Sequence, residues 1–279
     1  MMNKYYCRVI KNKTLYLGVL LLSLQVSAVP SNILIASIPK CGTQLLQICI
    51  NLISPEIKFK HAENDHLVIT DKDVKTKKAI IGHALPTAEN IERLKKAGFK
   101  VVFIFRDPRD QAVSMINMVK RKKWFPRLVS KSFDEALSQW IFNTSELYWG
   151  INHWINPELK DFKGIDDLYH RYFEWTKFGD DFVYVTSYEK LAGAYSGGSS
   201  DVQVRELKNI ARHIGIDLSH ERALELSEQT HGEIDPNGRK RIGSWRRYFK
   251  PHHVEEFKDV AGDLLIDLGY EKNSSWNLN

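Results

Sequence analysis

The sequence contains few cysteines and has no long apolar segment after Leu24. Its three cysteines are Cys7, Cys41 and Cys49, and none of them forms a zinc-binding pattern. Cys41 and Cys49 would lie about 12 Å apart along one helix, which is too far for a disulfide. Internal repeats and low-complexity segments are also absent. These absences exclude disulfide frameworks, zinc ribbons and repeat proteins, and they leave a globular chain of 279 residues.

Excess positive charge is nearly confined to the start of the chain. The formal net charge is +6 and the pI is about 9.0. Residues 1–30 contain Lys4, Arg8, Lys11 and Lys13 and no acidic residue, which leaves +2 of the +6 for the rest. A nearly balanced body is typical of a globular enzyme, so we expect no nucleic-acid partner.

The first thirty residues have the order of a targeting segment. Lys4 to Lys13 is basic, Leu15 to Leu24 is apolar, and Val26-Ser27-Ala28 resembles a cleavage site. The apolar part is shorter than the roughly 20 residues of a spanning helix. We therefore expect residues 1–30 to be a signal peptide or an N-terminal anchor that could attach the protein to a membrane; a helix packed on the domain is a third option. Secretion or the secretory pathway is the expected location, with the cytoplasm as the alternative, and residues 31–279 form the folded domain.

A strand, a loop and a helix follow each other from Asn32 to Leu52. Ile33, Leu34 and Ile35 form an apolar run, and apolar residues recur at helical spacing after Leu45. The loop between them, Pro39 to Thr43, offers backbone N–H groups at a helix N-terminus, a glycine, a lysine and a hydroxyl, which suit a phosphate-like anion. Lys40 precedes the glycine, so this is not the Walker pattern. An ordinary turn with a solvated lysine is the alternative.

Strands and helices alternate along the remaining chain. Further apolar runs lie at 79–83, 100–105 and 182–186, with helical patterns between them. This alternation predicts an α/β, three-layer fold with a central parallel sheet. Lys40, His83 and Arg106 each follow a strand, and ligands of such sheets gather at the carboxyl ends of the strands.

Several motifs, in the expected order, resemble sulfotransferases that use 3′-phosphoadenosine 5′-phosphosulfate (PAPS). Pro39-Lys40-Cys41-Gly42-Thr43-Gln44 is similar to the family's 5′-phosphosulfate loop. Arg106, with Ser114 eight positions later, resembles the element that holds the 3′-phosphate. His83 stands where the family has its catalytic base. The resemblance covers about Asn32 to Tyr270 and implies a P-loop-like phosphosulfate-binding loop on the predicted sheet.

Two later motifs complete the resemblance. Tyr188-Glu189 is similar to the family's Tyr-Glu-Asp beside the nucleotide, and Gly243-Ser244-Trp245 is similar to its C-terminal phosphate loop. The resemblance implies His83 and Lys40 as catalytic residues and no metal. It implies this donor-binding set: Lys40, Cys41, Gly42, Thr43, Gln44, Arg106, Ser114, Tyr188, Arg239, Lys240 and Arg241.

The implied reaction is sulfuryl transfer to a hydroxyl or amine. An imidazole with an ordinary pKa of about 6.5 can accept the acceptor's proton at neutral pH. Lys40 would neutralise the charge that grows on the leaving phosphate oxygen. Arg106 and Ser114 would distinguish this donor from ATP by its 3′-phosphate.

Some positions depart from the family pattern. Cys41 replaces the usual serine of the loop, and a helix N-terminus can lower the pKa of a thiol; a simple stand-in without a redox role is the other interpretation. Leu45 stands where many members have a tryptophan, and Ile81 where cytosolic members have a lysine.

Two other functions fit part of the sequence. A P-loop kinase or NTPase would need a Lys-Ser/Thr after the glycine and an acidic residue at a strand end, whereas this chain has Thr43-Gln44 and Arg106. A binding module on the same fold, with a nucleotide or glycan ligand and little or no catalysis, is the second alternative.

The acceptor and the oligomeric state are not specified by these motifs. Aromatic residues are dense between Ser132 and Lys177; most should belong to the core, and a few could line a pocket for a phenol or lipid. Lys120 to Lys123 could hold an acidic glycan or peptide, or be a solvated helix end. We expect a small-molecule, glycan or peptide acceptor.

Overall fold

The computed structural model describes residues 31–62, 68–123, 125–144, 163–230 and 241–278. The expected leader, residues 1–30, lies outside the described residues, as do Trp149, Trp154, Arg239 and Lys240. No helix in the described ranges combines the length and hydropathy that crossing a bilayer requires.

Five parallel strands form one sheet in the order β2-β3-β1-β4-β5. The strands are β1 (Asn32–Ser37), β2 (Lys60–His61), β3 (Ala79–Gly82), β4 (Phe99–Phe105) and β5 (Val183–Ser187). The chain leaves β1 toward one edge, returns, and continues on the other side of β1. The carboxyl end of β1 is therefore at a topological switch point, where open α/β sheets bind ligands.

Helices cover both faces of the sheet. Their bounds are α1 (Thr43–Ile53), α2 (Asp71–Thr76), α3 (Ala88–Lys96), α4 (Pro108–Lys122), α5 (Pro126–Val129), α6 (Phe133–Phe142), α7 (Ile165–Phe173), α8 (Tyr188–Leu191), α9 (Ser200–His213), α10 (His220–Gln229) and α11 (Pro251–Asp267). Short 3-10 helices lie at Glu174–Phe178, Ala194–Ser196 and Ser244–Arg247.

The central strands are apolar throughout because each face is buried in its own core. Leu34 and Ala36 of β1 face the core under α3, α4, α6, α7 and α11, whereas Ile33 and Ile35 face the core under α1, α9 and α10. The predicted three-layer α/β fold with a parallel sheet is confirmed. Most described aromatic residues between Ser132 and Lys177 are at least partly buried, as expected, although Phe142 is 49% exposed.

One strand was not expected from the sequence. Lys60–His61 pairs with β3, yet both of its residues are exposed and polar. A two-residue strand leaves no period in the sequence, so the sequence does not predict it. The other strands differ from their expected bounds by one or two residues, and His83 lies just beyond β3.

Candidate active site

The loop from β1 to α1 has an unusual backbone conformation. Lys40 adopts a φ of 71°, and Gly42 adopts a φ of 103° as the N-cap of α1. A side chain at Gly42 would be strained in this conformation, and its Cβ would lie 2.9 Å from the Tyr188 ring. In the described structure no side chain caps the first N–H groups of α1. Uncapped amides at a helix N-terminus are a site for an anion.

Side chains from distant helices hold this loop. Gln111 of α4 donates from Nε2 to the Pro39 carbonyl at 2.9 Å and accepts from Trp140 Nε1 at 3.1 Å. Tyr169 of α7 donates its hydroxyl proton to the Arg106 carbonyl at 2.7 Å, so the Cys41 thiol, 3.5 Å away, donates to the Tyr169 oxygen. The loop after β1 and the turn after β4 are thus tied to one tyrosine.

His83 meets the same loop from the other side. Its Nδ1 lies 2.9 Å from the Ser37 carbonyl oxygen and 3.0 Å from Ser37 Oγ. Ser37 Oγ lies 2.6 Å from Thr43 Oγ1 at the start of α1. The strand register causes this meeting, because Ala36 pairs with Gly82 and the next residues, Ser37 and His83, are therefore neighbours.

Arg106 is buried where β4 ends. Its Cζ lies 4.2 Å from the centre of the Tyr188 ring, and its Nη2 donates to Asp110 Oδ2 and to the Arg241 carbonyl, each at 3.3 Å. Burial alone would lower the pKa of this guanidinium, but the neighbouring Asp110, Tyr188 and Glu189 side chains raise it. Arg106 is therefore cationic at any physiological pH, and Tyr188 separates it from Gly42.

Asp110 joins the C-terminal motif to this arginine. Its Oδ1 accepts from Ser244 Oγ at 2.9 Å and from Trp245 N at 2.8 Å, and its Oδ2 accepts from Gly243 N at 2.9 Å. Burial raises the pKa of Asp110, and the charge of Arg106 opposes that rise. The carboxylate fixes the 3-10 turn beside the end of β4.

A second ion-pair cluster supports the same turn. Arg109 Nε and Nη2 donate to the two carboxylate oxygens of Asp107 at 3.0 and 2.8 Å, and Nη1 pairs with Glu271. The guanidinium stacks on Trp245, with Cζ 4.2 Å from the ring centre. These contacts use both oxygens of Asp107, the acidic residue nearest to the end of β4.

Most of the predicted site residues lie around the loop between β1 and α1, whereas Arg239 and Lys240 lie outside the described residues. Lys40, Cys41, Gly42, Thr43 and Gln44 form the loop and the start of α1, with His83 on one side and Arg106 and Tyr188 on the other. Ser114 lies one helical turn after Asp110 on the same face of α4. Arg241 contributes its carbonyl to Arg106 while its side chain is exposed.

Sequence reasoning missed Ser37, Asp110 and Tyr169 as parts of the site. Ser37 could have been noticed, because it is a polar residue at the end of an apolar strand, and Asp110 because it lies in the first turn of the helix that follows β4. Tyr169 gives no such signal, since its hydroxyl reaches Arg106 across 63 positions of sequence.

The buried position of Cys41 favours the simple stand-in over a thiol with a lowered pKa. Its thiol is fully buried, and burial raises its pKa to about 12, which outweighs the expected lowering by a helix N-terminus. Cys49 is likewise buried and free, with its pKa raised to about 12. Neither thiol has the exposed thiolate that a redox cysteine needs.

We expect native Cys41 and Cys49 to react with iodoacetamide at least roughly a thousand times more slowly than an ordinary exposed thiol at pH 7.5, because the thiolate fraction falls about tenfold per pKa unit. Peptide mapping by mass spectrometry would measure both sites separately. Urea-unfolded protein is the control and should react fully. Rapid labelling of Cys41 in the native protein would contradict this burial.

One cluster of described residues has the spacing of metal ligands. Atoms of Asp134, His252 and His253 lie within 4.8 Å of one another. However, Lys250 N donates to His253 Nδ1 at 3.0 Å, so the ring proton is on Nε2, the atom that faces Asp134. Lys250 Nζ also lies 2.9 Å from Asp134 Oδ1. These contacts cap α11 and leave no lone pair of His253 directed at the cluster.

The basic run after the arginine helix divides into two parts. Lys120 Nζ donates to the carbonyls of Leu128 and Val129 at 2.9 and 3.1 Å, and to that of Lys131. It therefore closes the end of α5. Arg121, Lys122 and Lys123 are exposed at the C-terminus of α4, where positive charge is favourable.

Comparison with known proteins gives one family. The profile described as "Sulfotransferase domain" matches residues 30–269. The chain is 25% identical to mouse sulfotransferase 6B1 over 257 residues, covering 86% of this chain and 80% of the relative. It is also 25% identical to human sulfotransferase 6B1, covering 84% and 76%.

Solved structures share the fold. Mouse sulfotransferase SULT7A1 complexed with PAP superposes with a TM-score of 0.60 at 19% identity, covering 85% of this chain and 86% of that one. Retinol dehydratase in complex with androsterone and inactive cofactor PAP gives a TM-score of 0.55 at 16% identity, covering 84% and 80%.

Proposed function

Because this chain belongs to the sulfotransferase family, we propose that it transfers a sulfuryl group from PAPS to a hydroxyl or amine of an acceptor. The observation that carries the proposal is the hydrogen-bonded chain from Thr43 through Ser37 to His83. It joins a candidate base to the loop that would hold the transferring group. The two solved structures described above are complexes with PAP, the product of PAPS.

The loop supplies the groups that the 5′-phosphosulfate needs. The uncapped amides at the start of α1 would donate to phosphate oxygens, together with the hydroxyl of Thr43 and the amide of Gln44. Lys40 would stabilise the phosphate oxygen as its bond to sulfur breaks. The left-handed conformation of Lys40 supports this role, because strained residues persist mainly at functional sites.

We propose that Arg106 binds the 3′-phosphate. Its Nε is buried and has no hydrogen-bond partner among the described residues. A buried unpaired donor is costly, and a phosphate oxygen would relieve that cost. The side chain is only 4% exposed, so a phosphate can reach it only if neighbouring groups make room. Ser114 would donate from the next turn of α4, with Tyr188 beside the arginine and residues 239–241 as further candidates.

In the proposed reaction His83 accepts the proton of the attacking group. The acceptor O–H or N–H bond breaks, a bond from that atom to sulfur forms, and the bond from sulfur to the phosphate oxygen breaks. The products are a sulfated acceptor, 3′,5′-ADP (PAP) and an imidazolium that returns its proton to water. Positioning and charge stabilisation supply most of the catalysis, as in phosphoryl transfer.

The kinase or NTPase alternative loses support at Asp107. A kinase or NTPase would use an acidic residue there to hold Mg²⁺, yet both carboxylate oxygens are bonded to Arg109. A binding module that has lost catalysis would keep the same contacts, so only a transfer assay separates it from an enzyme. We propose an acceptor of small-molecule, glycan or peptide type.

We expect saturating PAP to stabilise the protein far more than ADP or Mg-ATP at equal concentration. At a hundredfold excess over its Kd, PAP should contribute about 2.7 kcal/mol, which corresponds to a rise in Tm of roughly 5–10 °C for a domain of this size. Differential scanning fluorimetry measures this shift. The contact between Arg106 and a 3′-phosphate is the physical reason for the preference.

Ser114→Ala is the matched variant for this experiment. It removes one donor from a partly buried position on α4 and should keep the Tm of the free protein while reducing the PAP shift. Transfer of labelled sulfate from PAPS to a panel of phenols, glycans and peptides then tests catalysis. Equal stabilisation by Mg-ATP would contradict the proposed donor, and PAP binding without transfer to any acceptor would favour the binding module.

A further inference from the structure

Ser37 is a buried hydroxyl at the end of an otherwise apolar strand. The four preceding residues of β1 are Ile33, Leu34, Ile35 and Ala36, all fully buried, and Ser37 is fully buried too. Its Oγ lies between Thr43 Oγ1 at 2.6 Å and His83 Nδ1 at 3.0 Å. A buried hydroxyl needs hydrogen-bond partners, and these two belong to opposite sides of the candidate site.

The surroundings of His83 determine its tautomer. The Ser37 carbonyl oxygen, 2.9 Å from Nδ1, can only accept, so Nδ1 carries the proton of the neutral ring. Nε2 is therefore the nitrogen with the lone pair. The backbone is also fixed, because Tyr172 donates its hydroxyl proton to the His83 carbonyl at 2.8 Å and Trp175 Nε1 donates to the Ala84 carbonyl at 3.0 Å.

The same proton gives the two hydroxyls a direction. Since Nδ1–H points to Ser37, Ser37 Oγ can accept from it, and the Ser37 hydroxyl proton then goes to Thr43 Oγ1. The hydroxyl proton of Thr43 is left for a further acceptor at the start of α1. Each hydrogen bond in this chain is therefore donated in the direction from the imidazole to the loop. An anion bound in the loop would accept the last hydrogen bond, from Thr43.

We propose that Ser37 is a positioning residue, which holds the His83 ring in the orientation for proton abstraction and couples it to Thr43 of the phosphosulfate loop. This inference rests on the proposed function, in which His83 is the base. A base must be within hydrogen-bond reach of the proton that it takes, and a displacement of 1 Å can cost about a hundredfold in rate. When Nε2 takes the acceptor's proton, the Nδ1–H group remains hydrogen-bonded to Ser37. This hydrogen bond stabilises the positive charge of the imidazolium.

The test is a double-mutant cycle on single-turnover sulfate transfer from PAPS. Ser37→Ala should lower the rate at saturating PAPS about tenfold, the effect of one hydrogen bond to a group that becomes charged. In the His83→Ala background, Ser37→Ala should not lower the rate further, because Ser37 affects the rate through the imidazole, which is absent there. Ser37→Thr keeps the hydroxyl and should restore most of the rate.

Binding and folding are measured on the same variants. Any effect through Thr43 appears as a weaker PAP affinity and persists in the His83→Ala background, so the two routes are separable. The Tm of each free variant shows whether it folds. A Ser37→Ala rate equal to that of the unmodified protein, or an equal rate loss in both backgrounds, would overturn the positioning role.

Failure of the proposed function gives a different result. If the His83→Ala variant keeps the full transfer rate, His83 is not the general base, whatever the effect of Ser37→Ala. A readout independent of turnover is the ¹⁵N spectrum of the histidines above pH 8, where His83 should carry its proton on Nδ1. Finding the proton on Nε2 would overturn the arrangement even if transfer is never detected.

Discussion

Replacing His83 with alanine is expected to lower kcat for sulfate transfer by about 10²–10⁴-fold, the usual contribution of a general base. The affinity for PAP should change little, because the loop amides and Arg106 remain. The loss follows from the position of the ring, whose Nδ1 is held 2.9 Å from the Ser37 carbonyl oxygen and whose other nitrogen carries the lone pair. Labelled sulfate transfer measures the rate, and isothermal titration with PAP measures the affinity.

A second histidine provides the control for this experiment. His170 on α7 has a side chain that is 61% exposed, and it contacts Asp166, one turn earlier on the same helix. His170→Ala should keep both the rate and the PAP affinity. If His83→Ala loses PAP binding as strongly as turnover, the ring supports the loop rather than accepting a proton.

Replacing Arg106 with alanine should have two separable effects. The free protein should lose about 3–5 kcal/mol of stability, because Asp110 is left as a buried carboxylate without its cation. The preference for PAP over ADP should also fall by about 10- to 100-fold, the value of charge-assisted hydrogen bonds to one phosphate. Urea denaturation measures the first effect and competition between the nucleotides measures the second.

The double variant Arg106→Ala with Asp110→Asn separates these effects. Asparagine removes the unpaired charge and keeps Oδ1 as the acceptor for Ser244 and Trp245. Part of the stability should therefore return. The preference for PAP should not return, since no cation replaces the guanidinium. A double variant that recovers nucleotide selectivity would show that Arg106 acts only through the fold.

The sequence predicted the elements whose signal is local. The apolar run of β1, the glycine loop and the helical spacing of α1 are contiguous, and so are β4 and the arginine that follows it. Parallel pairing then gathers the strand ends at one edge, so the meeting of Lys40, His83 and Arg106 could be expected from topology.

Contacts between distant residues could not be predicted in this way. Asp110 binds residues 133 to 135 positions later, and Tyr169 joins Cys41 and Arg106 across 128 and 63 positions. No period or spacing records such pairs. The same limit applies to Cys41, because its contact with Tyr169 of α7 spans 128 positions of sequence.

The dependence of Asp110 on Gly243, Ser244 and Trp245 has a consequence for synthesis on the ribosome. Chains grow from the N-terminus, so Arg106 and Asp110 emerge together while the three donors of the C-terminal turn are still untranslated. Until residues 243–245 are translated, the Asp110 carboxylate can pair with Arg106 but lacks these three donors. The turn beside the end of β4 is therefore completed only after residues 243–245 have been translated, and the proposed PAPS site is completed with it.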